Sequence, residues 1–83
     1  MLMDVIVKLF GAEADAAGEP SVVVEVVGGS DCAAVRRALA AACPSLEPLL
    51  SHARFAVNNS YATDDTVIVP ADEVALIGLV SGG

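Results

Sequence analysis

Gly82 and Gly83, which follow the apolar run "VALIGLV" after the single residue Ser81, are where residue type and position in this sequence point most directly to chemistry. A residue without a Cβ passes through a narrow channel and adopts backbone angles closed to other residues. Two in succession suit the chain for delivering the α-carboxylate of Gly83 into the active site of another protein. A carboxylate is inert toward acyl transfer until it carries a good leaving group, and ATP supplies one by forming an acyl-adenylate. No nucleotide-binding motif is found in the sequence, so a partner must perform that activation. The chain is therefore expected to be no enzyme by itself, with no bound cofactor and with ATP used only by the activating partner. Glycine fills 7 of 83 positions, so a chance pair here is uncommon, and no polar linker separates the pair from the preceding strand.

Other reactive residue types give weaker signals. His52 is the sole histidine and has no carboxylate or cysteine partner near it in sequence, so it reads as a surface side chain. Two cysteines and one histidine make a poor zinc set, and no metal is expected. A position near a helix N-terminus would lower the pKa of Cys32, but Cys32 and Cys43 both fall on the apolar stripe of one helix and read as packing residues. On that helix their backbones stand roughly 16 Å apart, beyond the reach of a disulfide. Free thiols suit a reducing compartment. "GGSD" could cradle an anion, yet it lacks a P-loop lysine and the GxGxxG pattern, and a turn with a helix cap explains it. "NNS" at Asn58 matches a glycosylation sequon by chance, and the acid pairs Asp64-Asp65 and Asp72-Glu73 read as solvated turns.

Size and charge bound the rest. A chain of 83 residues is a single domain that hides only about 60% of the surface its unfolded form exposes, so a deep active site is not expected. Hydrophobic residues make up 55% of the sequence and the aromatics are Phe10, Phe55 and Tyr61, which predicts an aliphatic core. A net charge of -7 repels phosphate backbones and anionic headgroups, so neither nucleic acid nor membrane is an expected partner. No apolar stretch approaches the roughly 20 residues of a membrane span, the start "MLMDVIVKLF" lacks a basic leader, and a cytoplasmic location is expected.

The elements that must position the glycine pair follow from periodicity. Residues 3–10 alternate as a strand, with Val5, Val7 and Leu9 on one face and Ile6, Lys8 and Phe10 on the other. "GAEADAAGEP" holds at most one helical turn. "SVVVEVV" is a second strand with Val22, Val24 and Val26 inward and Glu25 outward. Asp31 caps a helix over Cys32 to Cys43, ended by Pro44, with Cys32, Val35, Leu39, Ala42 and Cys43 on its apolar face and Arg37 opposite. "PSLEPLLSH" is an irregular link with one turn around Leu49. "ARFAVN" is a short strand bearing Phe55 and Val57 on one side, Asn58 and Asn59 suit a turn, and "TVIVP" is extended. The last strand, Val74 to Val80, is apolar on both parities and belongs at the centre of the sheet. The fold class is α+β, a mixed sheet of four to five strands with one main helix on one face, in the β-grasp arrangement. Residues 81–83 form a flexible tail.

The segments "KLFGAEADAAG", "DCAAVRRALAAACPSL", "AVNNSYA", "DEVALI" and "VSGG" carry a resemblance over essentially the whole chain to the small subunits of molybdopterin synthase, sulfur carriers with the ubiquitin-like β-grasp fold. The resemblance implies that Gly83 is adenylated by an activating enzyme similar to the ubiquitin-activating class and converted to a thiocarboxylate with sulfur from a donor protein. Bound to a large synthase subunit in a heterotetramer, it would donate that sulfur to a pterin precursor in molybdenum cofactor biosynthesis, with the catalytic side chains on the large subunit. It also implies partner docking through Phe10, Tyr61 and Ile77, and through Leu79, Val80 and Ser81 of the tail; Phe10 and Ile77 independently fall on the parity opposite Val7 and Leu76. The sequence departs from the family pattern at Ala14-Asp15, where an arginine-glutamate pair is frequent, which removes the basis for a salt bridge there. It departs again at Gly78-Leu79, where prolines are frequent, which would loosen the exit of the tail. A sulfur carrier for thiamine or cysteine synthesis, a ubiquitin-like protein modifier and an inert interaction module remain alternatives.

Overall fold

A shared period of 2 in their buried residues brings the first two strands together. In the computed structural model, which describes residues 1–78, β1 (Leu2–Leu9) and β2 (Ser21–Val27) pair antiparallel with Val5 opposite Val24 and Val7 opposite Val22. That register places Val5, Val7, Leu9, Val24 and Val26 on one buried face. A slip of one residue would turn the whole set to solvent.

The connection between these strands is more helical than its glycines suggest. Helix α1 spans Gly11–Ala17, longer than the single turn expected from "GAEADAAGEP". Gly11 adopts φ +51° and Gly18 φ +72°, so the glycines bracket the helix as its turn-in and its left-handed C-cap, while the alanines between them favour helix. The chain turns into α1 at Phe10, so β1 stops at Leu9 and Phe10 is not a strand residue.

Helix α2 (Cys32–Ala42) begins as the sequence predicts, with Asp31 Oδ1 accepting from Ala34 N at 3.0 Å. Two more of its first-turn amides, those of Cys32 and Ala33, donate to the carbonyls of Thr66 and Asp64. Cys32, Val35 and Leu39 are buried and Arg37 is exposed, but Ala42 is exposed and Cys43 only half-buried. The stripe ends early because the chain turns at Cys43 into a 3₁₀ turn (Pro44–Leu46) and a short α3 (Glu47–Leu50), whose Leu46 and Leu50 fill the space below. The expected turn around Leu49 is thus a longer helical stretch, with Leu46 and Leu50 as its anchors.

Strand β3 (Ala53–Val57) and the two-residue β4 (Ser60–Tyr61) form a hairpin in which Asn58 and Asn59 take φ +52° and +68°. Both angles match a type I′ turn, which Asn tolerates. "TVIVP" is not a sheet strand: it makes one isolated bridge from Val67 to Asp31, buries Ile68 and leaves Val67 and Val69 exposed. It lies across the start of α2, where Ile68 N donates to Ser30 O at 2.9 Å.

β5 (Val74–Gly78) completes the sheet in the order β2-β1-β5-β3-β4. It is central as expected, parallel to β1 and antiparallel to β3. Val74 and Leu76 are fully buried under the helices, whereas Ala75 and Ile77 on the other face are only half-buried. The doubly apolar pattern therefore reflects one core face and one open face.

Candidate functional site

The site is organised by the end of β5, which carries the chain through Gly78 toward the glycine pair. Leu79, Val80, Ser81, Gly82 and Gly83, assigned from the sequence to the tail and its chemistry, lie outside the described residues.

The open face of the sheet holds the remaining predicted docking residues. Phe10 is 53% and Tyr61 63% exposed, values that for large apolar side chains leave most of the ring in water. Phe10 and Ile77 line one shallow groove of about 220 Å³ together with Ala56, Asn59 and Ala75. Ile77 and Tyr61 line an adjoining one with Ala56 and Asn59. The three residues thus surround one depression on the face away from the helices. Exposed apolar groups gathered in this way mark a contact surface.

Two basic residues lie on this face, Lys8, which the alternation of the first strand already placed there, and Arg54, which was not singled out in the sequence. Arg54 stands opposite Ile77 in the β3–β5 ladder, with its guanidinium 4.9 Å from the centroid of the Tyr61 ring. Lys8 borders the Phe10 groove. Together they are two of only four basic residues in the chain, so this face offers positive charge on an otherwise acidic molecule. The signal was available, since period 2 about the buried Phe55 puts Arg54 on the opposite face.

A polar tie holds the rim of the depression. Asn58 donates to Asp72 Oδ1 at 2.8 Å and accepts from Glu73 N at 2.9 Å, while Val69 N donates to Asp72 Oδ2 at 2.9 Å. Asp72 is therefore part of a fastening through its carboxylate, whereas Glu73 joins it only through its backbone N–H and keeps its side chain exposed, as a solvated turn residue does. The hydrogen bond from Val69 N, and then that from Asn58, holds the Asp72 carboxyl below its ordinary pKa. A depressed carboxyl pKa means that the tie is present at neutral pH and is lost as pH falls through the lowered value.

On the helix side, Arg36 reaches out of α2 to the carbonyls of Leu50 and Ala53, the second at 3.1 Å, and to Asp64 at 3.0 Å. Its guanidinium lies 5.2 Å from the Phe55 ring centroid. It therefore joins α2, the start of β3 and the loop carrying Asp64, so Asp64 also has a structural partner. Cys32 is buried, and burial, reinforced by the carboxylates of Asp64 and Asp31, pushes its thiol pKa up. The effect of a helix N-terminus on this thiol, expected to lower it, is thus outweighed. Iodoacetamide at neutral pH should label the half-exposed Cys43 in the native protein and leave Cys32 unlabelled until denaturant is added; mass spectrometry of tryptic peptides reads the difference. Both thiols are free, and among the described residues no three His, Cys, Asp or Glu side chains gather to hold a metal ion. His52 is exposed next to β3. No helix among the described residues is long and apolar enough to cross a membrane.

Glu13 is the residue that sequence reasoning missed altogether. It lies in the first turn of α1, is buried, and packs its carboxylate against Gly78. Glutamate is ordinarily exposed, so nothing in the sequence marked it.

Comparison with known proteins adds an independent line. The chain matches the ThiS family over residues 7–83. It is 31% identical over 81 residues to the molybdopterin synthase sulfur carrier subunit of Arabidopsis thaliana, covering 98% of this chain and 84% of that protein. The crystal structure of SAMP1 from Haloferax volcanii superposes with a TM-score of 0.84 at 31% identity, covering 96% of this chain and 99% of that one. A ubiquitin from Caldiarchaeum subterraneum superposes with a TM-score of 0.67 at 18% identity over the full length of both chains, a likeness of fold alone. The ubiquitin-like β-grasp arrangement read from the sequence is the observed fold.

Proposed function

This chain belongs to the ThiS family, and on that premise we propose that it is the sulfur-carrier small subunit of a molybdopterin synthase. The observation that carries the reading is the family match running through Gly82 and Gly83, joined to the likeness to a molybdopterin synthase sulfur carrier over nearly the whole chain.

The chemistry balances with few parts. A carboxylate oxygen of Gly83 attacks the α-phosphorus of ATP in the activating enzyme, expelling pyrophosphate and leaving an acyl-adenylate. Hydrosulfide delivered by a donor protein adds to that acyl carbon, AMP leaves, and a thiocarboxylate remains. On the large synthase subunit the thiocarboxylate sulfur attacks a carbon of the pterin precursor and displaces an oxygen substituent, which leaves with the electron pair of the broken carbon–oxygen bond, and water then cleaves the acyl-sulfur bond, returning Gly83 as a carboxylate and leaving the sulfur on the pterin. The side chains that assist these steps belong to the partners. This chain contributes the carried atom and the surfaces that dock it.

Docking falls to the open face. Phe10, Tyr61 and Ile77 present apolar surface, while Arg54 and Lys8 lend it charge. Central apolar anchors dominate interface energies, and truncating one typically weakens binding by about tenfold. Phe10→Ala should therefore raise the KM of the activating enzyme for this chain by about tenfold with kcat unchanged, the pattern of lost uniform binding. Steady-state ATP–pyrophosphate exchange measures both constants, and an unchanged KM would remove Phe10 from the docking surface.

The test of the function is intact mass. Incubation with the activating enzyme, ATP and a sulfide source should shift the mass by one oxygen-to-sulfur exchange located on Gly83, and copurification should bring down a pterin-binding synthase subunit. A ubiquitin-like modifier is the second reading, favoured by the likeness to SAMP1, named in a related structure as small archaeal modifier protein 1, at 29–31% identity. Conjugates through lysine amines that survive thiol on a denaturing gel would establish it instead. Copurification of a thiazole synthase would redirect the sulfur to thiamine.

A further inference from the structure

The half of the open face formed by β1 and β2 is apolar along most of its length. Leu2, Ile6, Phe10, Val23 and Val27 are each between 53% and 59% exposed. The β1–β2 ladder sets Leu2 opposite Val27, Asp4 opposite Glu25, Ile6 opposite Val23 and Lys8 opposite Ser21, and Phe10 continues the same parity in extended geometry. Contiguous apolar surface of this kind marks a contact site. Asp4 and Glu25 are exposed and stand directly across the ladder from each other, an arrangement of like charges that costs stability. The salt bridge found among the described residues joins Arg36 to Asp64 and leaves both of these carboxylates without one. A cation supplied from outside would relieve them.

The pattern is its own complement when reversed. Outward from the Ile6–Val23 pair, the acidic Asp4 and Glu25 lie on one side, the basic Lys8 and polar Ser21 on the other, and Leu2 and Phe10 beyond them. We propose that this face pairs with the same face of a second copy of the chain, about a two-fold axis lying between the two sheets and across the strands at the level of Ile6 and Val23. Such an axis reverses strand direction, so Lys8 of each copy faces Asp4 of the other, Ser21 faces Glu25, Phe10 faces Leu2, and Ile6 and Val23 meet their own counterparts at the centre. A two-fold axis along β1 would instead set Asp4 on Asp4 and Lys8 on Lys8, so charge selects the first arrangement. Packed sheets stand about 10 Å apart, within the combined reach of a lysine and an aspartate. Inside one copy the same two side chains are rooted four strand residues apart, about 13 Å, and project from one face, so they satisfy each other only between copies.

Size and charge make the pairing a weak one. β1 has 8 residues, a length of about 27 Å, and five strands spaced by about 4.8 Å make the sheet about 19 Å wide. The footprint is about 500 Å² on each copy and about 1,000 Å² in total, at the lower limit for a specific interface. The net charge of -7 on each copy opposes association, although salt screens it over about 8 Å at physiological ionic strength. Glu73, exposed at the entry to β5 and level with Ile6, also meets its own counterpart near the axis. A dissociation constant between about 1 μM and 1 mM is expected. The pairing does not depend on the sulfur chemistry proposed above, but it covers Phe10, so docking through that ring requires the separated chain.

Sedimentation equilibrium of the full chain across that range of concentration should show the mass rising from one chain toward two. A mass of one chain throughout overturns the proposal. Ile6→Lys, at an exposed position where a thermal melt can verify the fold, should abolish association by placing two cations at the axis. Charge reversal then tests the geometry. Lys8→Glu makes the molecule more acidic by two charges and Asp4→Lys makes it less acidic by two, so repulsion between whole molecules would weaken the first dimer and strengthen the second. The facing pairs require both to weaken, by at least about tenfold, since each variant brings like charges together. An equimolar mixture of the two variants should recover the parental affinity, because Lys8 of one then meets Asp4 of the other and the two substituted positions likewise carry opposite charges. Tighter association of Asp4→Lys, no recovery on mixing, or undiminished association of Ile6→Lys would each overturn the pairing.

Discussion

Deletion of Gly83 is expected to lower the rate of charging by the activating enzyme at least 100-fold while leaving the fold intact. The shortened chain still ends in a glycine carboxylate, so its intrinsic reactivity toward ATP is unchanged. What changes is reach. One residue of extended chain spans about 3.3–3.6 Å, and near-attack geometry requires the carboxylate oxygen within about 3–3.5 Å of phosphorus. With docking through Phe10, Tyr61 and Ile77, as proposed above, the shortened carrier would present its carboxylate a full residue short. The buried core runs from Val5 to Leu76, so the deletion should shift the melting temperature by less than about 2 °C, within the range of neutral surface changes. Pyrophosphate exchange, intact mass and a thermal melt of the same sample decide the matter. Charging at the parental rate would show that Gly83 is not the reacting residue, whereas a large fall in melting temperature would show that the tail is part of the fold.

Phe55→Ala should have the largest effect on stability. Phe55 is the largest of the fully buried side chains; it stands opposite Leu76 in the β3–β5 ladder and under the Arg36 guanidinium. Truncating a buried phenylalanine to alanine costs about 3–5 kcal/mol, from lost transfer energy and the cavity that remains. Small domains have only about 5–15 kcal/mol in total, and each kcal/mol moves the melting temperature of one this size by roughly 4–8 °C. A drop of about 15 °C or more is expected by calorimetry. The loss extends beyond the core, because Arg36 would lose the ring beneath it while still bound to the carbonyls of Leu50 and Ala53. A drop below about 5 °C would mean that the core closes around the gap.

The parts of this fold that could be read in advance are those governed by local periodicity. The period of 2 in β1 and β2 sets Val5, Val7, Leu9, Val24 and Val26 on one face, with Asp4, Lys8 and Glu25 marking the other, because a strand has no other way to bury one face. The stripe of Cys32, Val35 and Leu39 likewise follows from 3.6-residue spacing and the Asp31 cap from residue type, and the apolar run of β5 pointed to its central place, although one of its faces is open. The same counting put Phe10 and Ile77 opposite the core. It failed where several readings of the same residues were locally allowed. Gly11 and Gly18 can break a helix or bracket one, and only their left-handed angles in the folded chain made them the ends of α1. "TVIVP" has the composition of a strand, yet in the fold it makes only the single bridge from Val67 to Asp31, and Ile68 is the residue of the segment that joins the core.

Gly82 and Gly83 stood out by residue type, and so did the aliphatic character of the core and the acidic balance that argues against nucleic acid. Those properties belong to the chain as a list of side chains. The burial of Glu13 against Gly78 and the reach of Arg36 across three elements do not. Each joins residues far apart in sequence, and each places a charged group where its own chemistry, taken singly, would send it into water. Only the closing of helices over a mixed sheet sets such partners a few ångströms apart, and long-range geometry of that kind is not encoded in any local pattern.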